Sequence, residues 1–252
     1  MTEEKLFDTV DLYISDDRTE MGKVAADHAE ATIKALLNEK DEINCIFAAA
    51  PSQIDFLADL ITRDIDWTRI NAYHMDEYVG FGLGHKDSFN YFLTSHIFGK
   101  VPFKTVNLIN GANDKEAEAS RYSALLDAID VDITFMGIGE NGHIAFNDPA
   151  VADFNDPKTV KVVELDQVCR QQQVNDKCFP TIDDVPEHAL TVTIPKLTSA
   201  KYIFCIVPTE KKHAATKAAL TGPISEACPA SILRTVNNVR MYIDKDCAGD
   251  IA

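Results

Sequence analysis

The chain lacks any apolar run approaching the ~20 residues that a membrane-spanning helix needs, so no such span is expected. It is also short of positive charge: 24 lysines and arginines stand against 40 aspartates and glutamates, a formal net charge of −16. Non-specific nucleic-acid binding needs a positive footprint, and this balance argues against it. An anionic small ligand is not excluded, because a few local lysines and a helix N-terminus can hold a phosphate within an acidic protein. Six cysteines (Cys45, Cys169, Cys178, Cys205, Cys228 and Cys247) are scattered without CxxC spacing. Cys45 and Cys205 sit inside apolar strand-like runs and read as buried thiols, so neither a disulfide framework nor a zinc site is indicated. The opening Met1-Thr2-Glu3-Glu4-Lys5 has no signal-peptide core, and a soluble cytoplasmic protein is expected. Internal repeats, low-complexity linkers and any helix-turn-helix-like extension are absent as well, which weakens a transcription-factor reading.

What is present is 252 residues with 46% hydrophobic content, ample for one substantial core. Strand-like and helix-like segments alternate. Val10 to Ile14 alternates apolar and polar residues, and Met21 to Leu37 carries apolar positions at helical spacing. Asn44 to Ala50 is a short buried strand candidate running into Pro51-Ser52-Gln53, with helical spacing again from Ile54 to Ile61. Further strands are expected at Ile70–Tyr73, Val106–Ile109, Val131–Met136, Ala189–Ile194, Tyr202–Val207 and Val239–Ile243. Helices are expected from Glu116 to Ile129 and from Lys211 to Leu220, and Pro195 favours a turn or helix start. The alternation predicts a single α/β domain, 1–252, with a mostly parallel, doubly wound, Rossmann-like sheet. The least regular stretch, 151–184, is polar and proline-punctuated and is a candidate lid.

In a parallel sheet, loops that follow strands emerge on one edge, where open α/β folds bind ligands. Four such stretches carry chemistry. Ser52 begins a helix, where a small hydroxyl either caps the helix or donates to an anion. Asp76-Glu77, after an apolar strand, is either a solvated turn or a partly buried general base. Gly137-Ile138-Gly139-Glu140-Asn141-Gly142-His143-Ile144-Ala145-Phe146-Asn147-Asp148-Pro149 packs three glycines, a histidine, amides and carboxylates into one run. An ordinary glycine-rich connection is the bland alternative, but this density of proton-handling groups favours a site. Lys211-Lys212 read alone are a solvated pair, though either can reach a phosphate held by the Ser52 loop.

Met75-Asp76-Glu77-Tyr78-Val79-Gly80 joined to the Gly137–Pro149 run resembles the glucosamine-6-phosphate deaminase (isomerase) family. Weaker similarity extends through Val185–Val192 and the Lys212 helix. The related 6-phosphogluconolactonases resemble "DER" rather than "MDEY" at the second loop. The resemblance implies ring opening, isomerisation between C1 and C2, and release of ammonia from an aminosugar phosphate to give fructose 6-phosphate. It implies that His143 moves the proton in ring opening, Asp76 carries the proton from C2 to C1, and Asn141 and Asp148 orient the histidine. Ser52 and Lys212 match phosphate-binding positions, and Lys177 stands in for a family arginine in the lid. No metal or redox cofactor is implied; the partner is a small sugar phosphate, and homo-oligomers occur in the family.

Three departures accompany the resemblance. The family's phosphate loop resembles "TGSTP", against Ala49-Ala50-Pro51-Ser52-Gln53 here, and the proline restricts how many N–H groups surround an anion. Asn141 stands where many members carry Asp, and cannot stabilise an imidazolium by charge. Asp148 stands where many carry Glu, one methylene shorter. These leave a galactosamine-6-phosphate isomerase or a 6-phosphogluconolactonase as alternative activities, and a non-catalytic sugar-phosphate sensor as an alternative of another class.

Overall fold

The computed structural model describes residues 2–165, 167–175 and 179–251, without the side chain of residue 168. Strands β1 (Glu3–Phe7) and β2 (Val10–Ser15) form an antiparallel hairpin. Helix α1 (Arg18–Glu39) starts where Asp17 accepts a hydrogen bond from Glu20 N, satisfying one of the unpaired N–H groups of its first turn. There follow β3 (Ile43–Phe47), α2 (Ile54–Leu60), β4 (Ile70–His74), β5 (Asp76–Tyr78), α3 (Phe89–Leu93), β6 (Thr105–Asn107), α4 (Lys115–Asp127) and β7 (Ile133–Met136). The remainder comprises β8 (Val160–Glu164), α5 (Gln167–Asn175), β9 (His188–Val192), α6 (Ile194–Thr198), β10 (Tyr202–Ile206), α7 (His213–Thr221), β11 (Val239–Asp244) and α8 (Lys245–Ala248). Among the described residues no helix is long and apolar enough to cross a membrane.

The central sheet runs β1-β2-β11-β10-β7-β3-β4-β6, and every pairing in it except β1–β2 is parallel. Its inner strands are predominantly apolar on both faces, as burial under helices on both sides requires. In β10, Ile203 and Cys205 join a core with Leu126 of α4, Leu197 of α6 and Ala219 of α7. Phe204 and Ile206 point the other way, into a second core with Ala29 and Ile33 of α1 and Leu57 of α2. Burying a side chain such as Ile33 fully contributes about 2 kcal/mol.

From β3 the chain steps outward through β4 to β6. It then re-enters at β7 on the other side of β3 and steps through β10 to β11. The direction therefore reverses between β3 and β7, and the loops after them diverge to open a crevice at the carboxyl edge. Ala48 N donates to Phe135 O at 2.9 Å, joining the two strands just below it.

The structure corrects the expected architecture in four places. Met75–Gly80 is not wholly loop, because Asp76–Tyr78 pairs antiparallel with β9 in a separate sheet ordered β5-β9-β8. The strand expected at 189–194 therefore belongs to this smaller sheet and not to the parallel one. The stretch 151–184 is more regular than expected, since it contributes β8 and α5. The physical reason is shared: strand pattern reports burial of alternate side chains but not which partner supplies it. The charged edge strand β1 carries no apolar pattern and was not expected; its Glu3 and Glu4 are exposed, as suits an edge.

Candidate active site

Ser52, Asp76, His143 and Lys212 line one cleft of about 650 Å³ over the crevice. Each comes from the segment after a parallel strand of the central sheet: β3, β4, β7 and β10 respectively. Parallel pairing thus carries four distant stretches of sequence to one edge.

The histidine loop is a tight turn in which Gly139 N donates to His143 O at 2.9 Å and Gly142 N donates to Gly139 O at 3.0 Å. Gly142 has φ +87°, a conformation that favours glycine, and the imidazole lies directly over Gly139. A Cβ on Gly139 would sit 2.2 to 2.4 Å from three ring atoms of His143. Nδ1 of His143 lies 2.8 Å from Asn141 Oδ1 and 3.0 Å from Asp148 Oδ1. Both neighbours are acceptors at that point, which makes Nδ1 the donor and leaves Nε2 for a substrate. Asn141 Nδ2 donates to Asp148 Oδ1 at 2.8 Å, closing a triangle behind the ring. Asp148 therefore reaches the imidazole despite its shorter side chain, and supplies the charge that Asn141 lacks. Burial works to raise the pKa of Asp148, but hydrogen bonds with His143, Asn141 and the Cys169 thiol, together with charge on His143, hold it below the usual carboxylate value. Asn147 Nδ2 donates at 2.9 Å to Ile144 O and to Val192 O, pinning the loop to β9.

The adjacent carboxylates at 76 and 77 have opposite surroundings, because successive strand side chains point to opposite faces. Asp76 faces the cleft, and its Oδ1 has no hydrogen-bond partner among the described residues. Burial, reinforced by the charge of Glu77, pushes its pKa well above that of an ordinary aspartate. Glu77 turns inward, where it accepts from Phe89 N at 3.1 Å and from Asn90 N and Nδ2 at 2.8 Å each. It thereby anchors the start of α3. Burial pushes its pKa up to about 7 against the pull of those donors.

Ser52 lies in a 3₁₀ turn, Pro51–Gln53, that precedes α2, and among the described residues its hydroxyl pairs with Gln53 Nε2 and not with a helix N–H. The capping alternative for this hydroxyl is therefore not the one realised. Lys212 likewise ends a 3₁₀ turn, Glu210–Lys212, so α7 begins at His213 and not at 211. Ahead of it Thr209, at φ +81°, is held by bonds from its N–H to both carboxylate oxygens of Asp244, at 2.9 and 3.1 Å. Lys177, the expected lid cation, lies outside the described residues.

Several lining residues were not anticipated. Gln172 and Gln173 of α5 reach the cleft wall, where Gln172 Oε1 accepts from Glu140 N at 3.1 Å and Gln173 Oε1 accepts from Tyr78 OH at 2.8 Å. The run Gln171-Gln172-Gln173 within a helix was the signal available for them. Arg18 and Lys86 also line the cleft. Arg18 donates to Asp55 at 2.5 Å and to Pro51 O at 3.0 Å. Neither cation sits in a pattern that the sequence alone sets apart.

Residues 16–242 match the family described as glucosamine-6-phosphate isomerases/6-phosphogluconolactonase. A curated protein of Bacillus thuringiensis (strain Al Hakam), glucosamine-6-phosphate deaminase, is 36% identical over 215 residues, 85% of this chain and 80% of that one. A protein of the same name from Bacillus anthracis matches to the same extent, 36% over 215 residues. Among solved structures, a monomeric glucosamine-6-phosphate deaminase superposes with a TM-score of 0.85 at 32% identity, covering 94% of this chain and 98% of that one. The 6-phosphogluconolactonase of Thermotoga maritima shares the fold, with a TM-score of 0.76 at 18% identity over 94% of this chain and 100% of that one. The chain belongs to the glucosamine-6-phosphate isomerase/6-phosphogluconolactonase family.

Proposed function

We propose that the chain is a glucosamine-6-phosphate deaminase, converting glucosamine 6-phosphate and water to fructose 6-phosphate and ammonia. The observation that carries this reading is the placement of the buried Asp76 carboxylate and the braced His143 imidazole in one cleft. His143 Nε2 takes the proton of the anomeric hydroxyl and delivers it to the ring oxygen as the ring opens. Asp76 then removes the C2 proton and returns it to C1 while a proton passes from nitrogen to O1, so the C1 carbonyl becomes a hydroxyl and an imine is left at C2. Water adds to that carbon, the C–N bond breaks, and ammonia departs. A desolvated carboxylate suits the middle step, since burial makes it a stronger base once ionised.

Ser52 and Lys212 hold the phosphate in this reading, with a hydroxyl and an ammonium as donors. The segment 151–184 acts as a lid whose helix α5 lays Gln172 and Gln173 over the sugar. The likeness in name and sequence to deaminases at 36% and 32% identity supports this substrate over a lactone. The test is ammonia and fructose 6-phosphate formation from glucosamine 6-phosphate, assayed beside galactosamine 6-phosphate and 6-phosphogluconolactone. Preferred turnover of the lactone, or of the galactosamine ester, overturns the assignment.

A further inference from the structure

We propose that Gln53 is a positioning residue for the phosphate subsite, holding the Ser52 hydroxyl oxygen as an acceptor so that the Ser52 proton is left for an anion in the cleft. This rests on the reading of Ser52 as a phosphate contact. Gln53 is 1% exposed, and its Nε2 lies 3.2 Å from Ile206 O and 3.5 Å from Met136 O. Both are carbonyl oxygens that can only accept, so the chemistry of the site dictates which end of the carboxamide is nitrogen. The same Nε2 lies 3.1 Å from Ser52 Oγ. An amide nitrogen has no lone pair to offer, so the hydroxyl must accept there, and its single proton goes to another acceptor.

Gln53 thereby ties the loop after β3 to the last carbonyls of β7 and β10. Gly137 makes room for it. A Cβ at that position would lie 3.1 Å from Gln53 Nε2, 3.3 Å from Ile206 O and 3.4 Å from Ser52 Oγ. The first glycine of the histidine loop thus serves the neighbouring loop. Pro51 contributes no N–H to this turn, so an oriented side-chain donor carries more of the anion's recognition.

The test uses the full chain and the variants Ser52→Ala, Gln53→Leu and the double variant. It reads KM and kcat for glucosamine 6-phosphate, and the affinity for inorganic phosphate by calorimetry. Each single variant is expected to weaken phosphate binding and raise KM about tenfold, the usual scale for a hydrogen bond to a charged group, with kcat within about twofold. The double variant should match Ser52→Ala alone, which a merely structural Gln53 would not produce. Additive losses, or a Gln53→Leu enzyme with unchanged KM and phosphate affinity, overturn the proposal. If Gln53→Leu fails to fold, Gly137→Ala displaces the same amide by a few tenths of an ångström and should give a smaller rise of the same kind; no rise counts against the proposal. Calorimetry needs no turnover, so loss of the deaminase assignment is distinguishable from loss of this inference. A Ser52→Ala variant that binds phosphate normally removes both the Ser52 role and this one.

Discussion

Asp148 Oδ1 lies 3.0 Å from His143 Nδ1 and 2.8 Å from Asn141 Nδ2, so one buried carboxylate oxygen is shared by the ring and the amide that brace each other. Asp148→Asn keeps the size of the side chain and removes the charge. It should lower kcat about 10- to 100-fold with a smaller change in KM, because it weakens the proton shuttle and not the phosphate grip. Steady-state kinetics decide this, and a variant with wild-type kcat would show that Asn141 alone is sufficient.

Asp76→Asn should separate activity from stability. Turnover should fall at least ~100-fold, since an amide cannot carry the C2 proton. Because the folded-state pKa of Asp76 is raised, its favourable contribution is fully present below the ordinary value of 3.8 and is lost as pH rises through the elevated one. The variant has no charge to desolvate. Its urea midpoint should therefore exceed the wild-type value at pH 8 and converge with it below about pH 3.8. A less stable variant at pH 8 would argue against the buried-charge account.

Glu77 predicts a second pH dependence of the same sign, overlapping that of Asp76. Its pKa moves from 4.5 to about 7 on folding, so stability from this group is present below pH 4.5 and disappears through about pH 7. The full span is about 3 kcal/mol at most. Denaturant titrations between pH 5 and 8 should show a shallower slope in Glu77→Gln than in the wild type, the remainder coming from Asp76. That variant should also be less stable at pH 5 by about 1 to 3 kcal/mol, having a single oxygen to satisfy donors that two oxygens now share.

Gly139→Ala places a methyl within the imidazole of His143, so the ring or the loop must move. A displacement near 1 Å is worth about 100-fold in rate, and kcat should fall by about that factor while the thermal melt changes little. Unchanged kcat would mean that ring position does not limit the reaction.

Much of this architecture is legible in the sequence. Runs such as Ile133–Met136 and Tyr202–Ile206 are predominantly apolar because both faces of their strands are covered, and that pattern locates the central sheet. The spacing of Gly139 and Gly142 around His143 reflects local needs: a ring lying on bare backbone, and a positive φ. Local needs are written locally, and so the candidate loop can be read without a structure.

Other features depend on partners distant in the chain. Asp76 and Glu77 are adjacent carboxylates, and only the pairing of β5 with β9 decides that one faces the cleft while the other anchors α3. The reach of Asp148 to His143 depends on how the loop between them closes, not on side-chain length alone. Gln53 carries no visible motif, since its carbonyl partners lie 83 and 153 residues away. The sequence by itself determined the sheet, the glycine-histidine loop and the family. The tertiary structure alone decided which acids and amides meet across it, because hydrogen bonds and desolvation depend on distance in space and not along the chain.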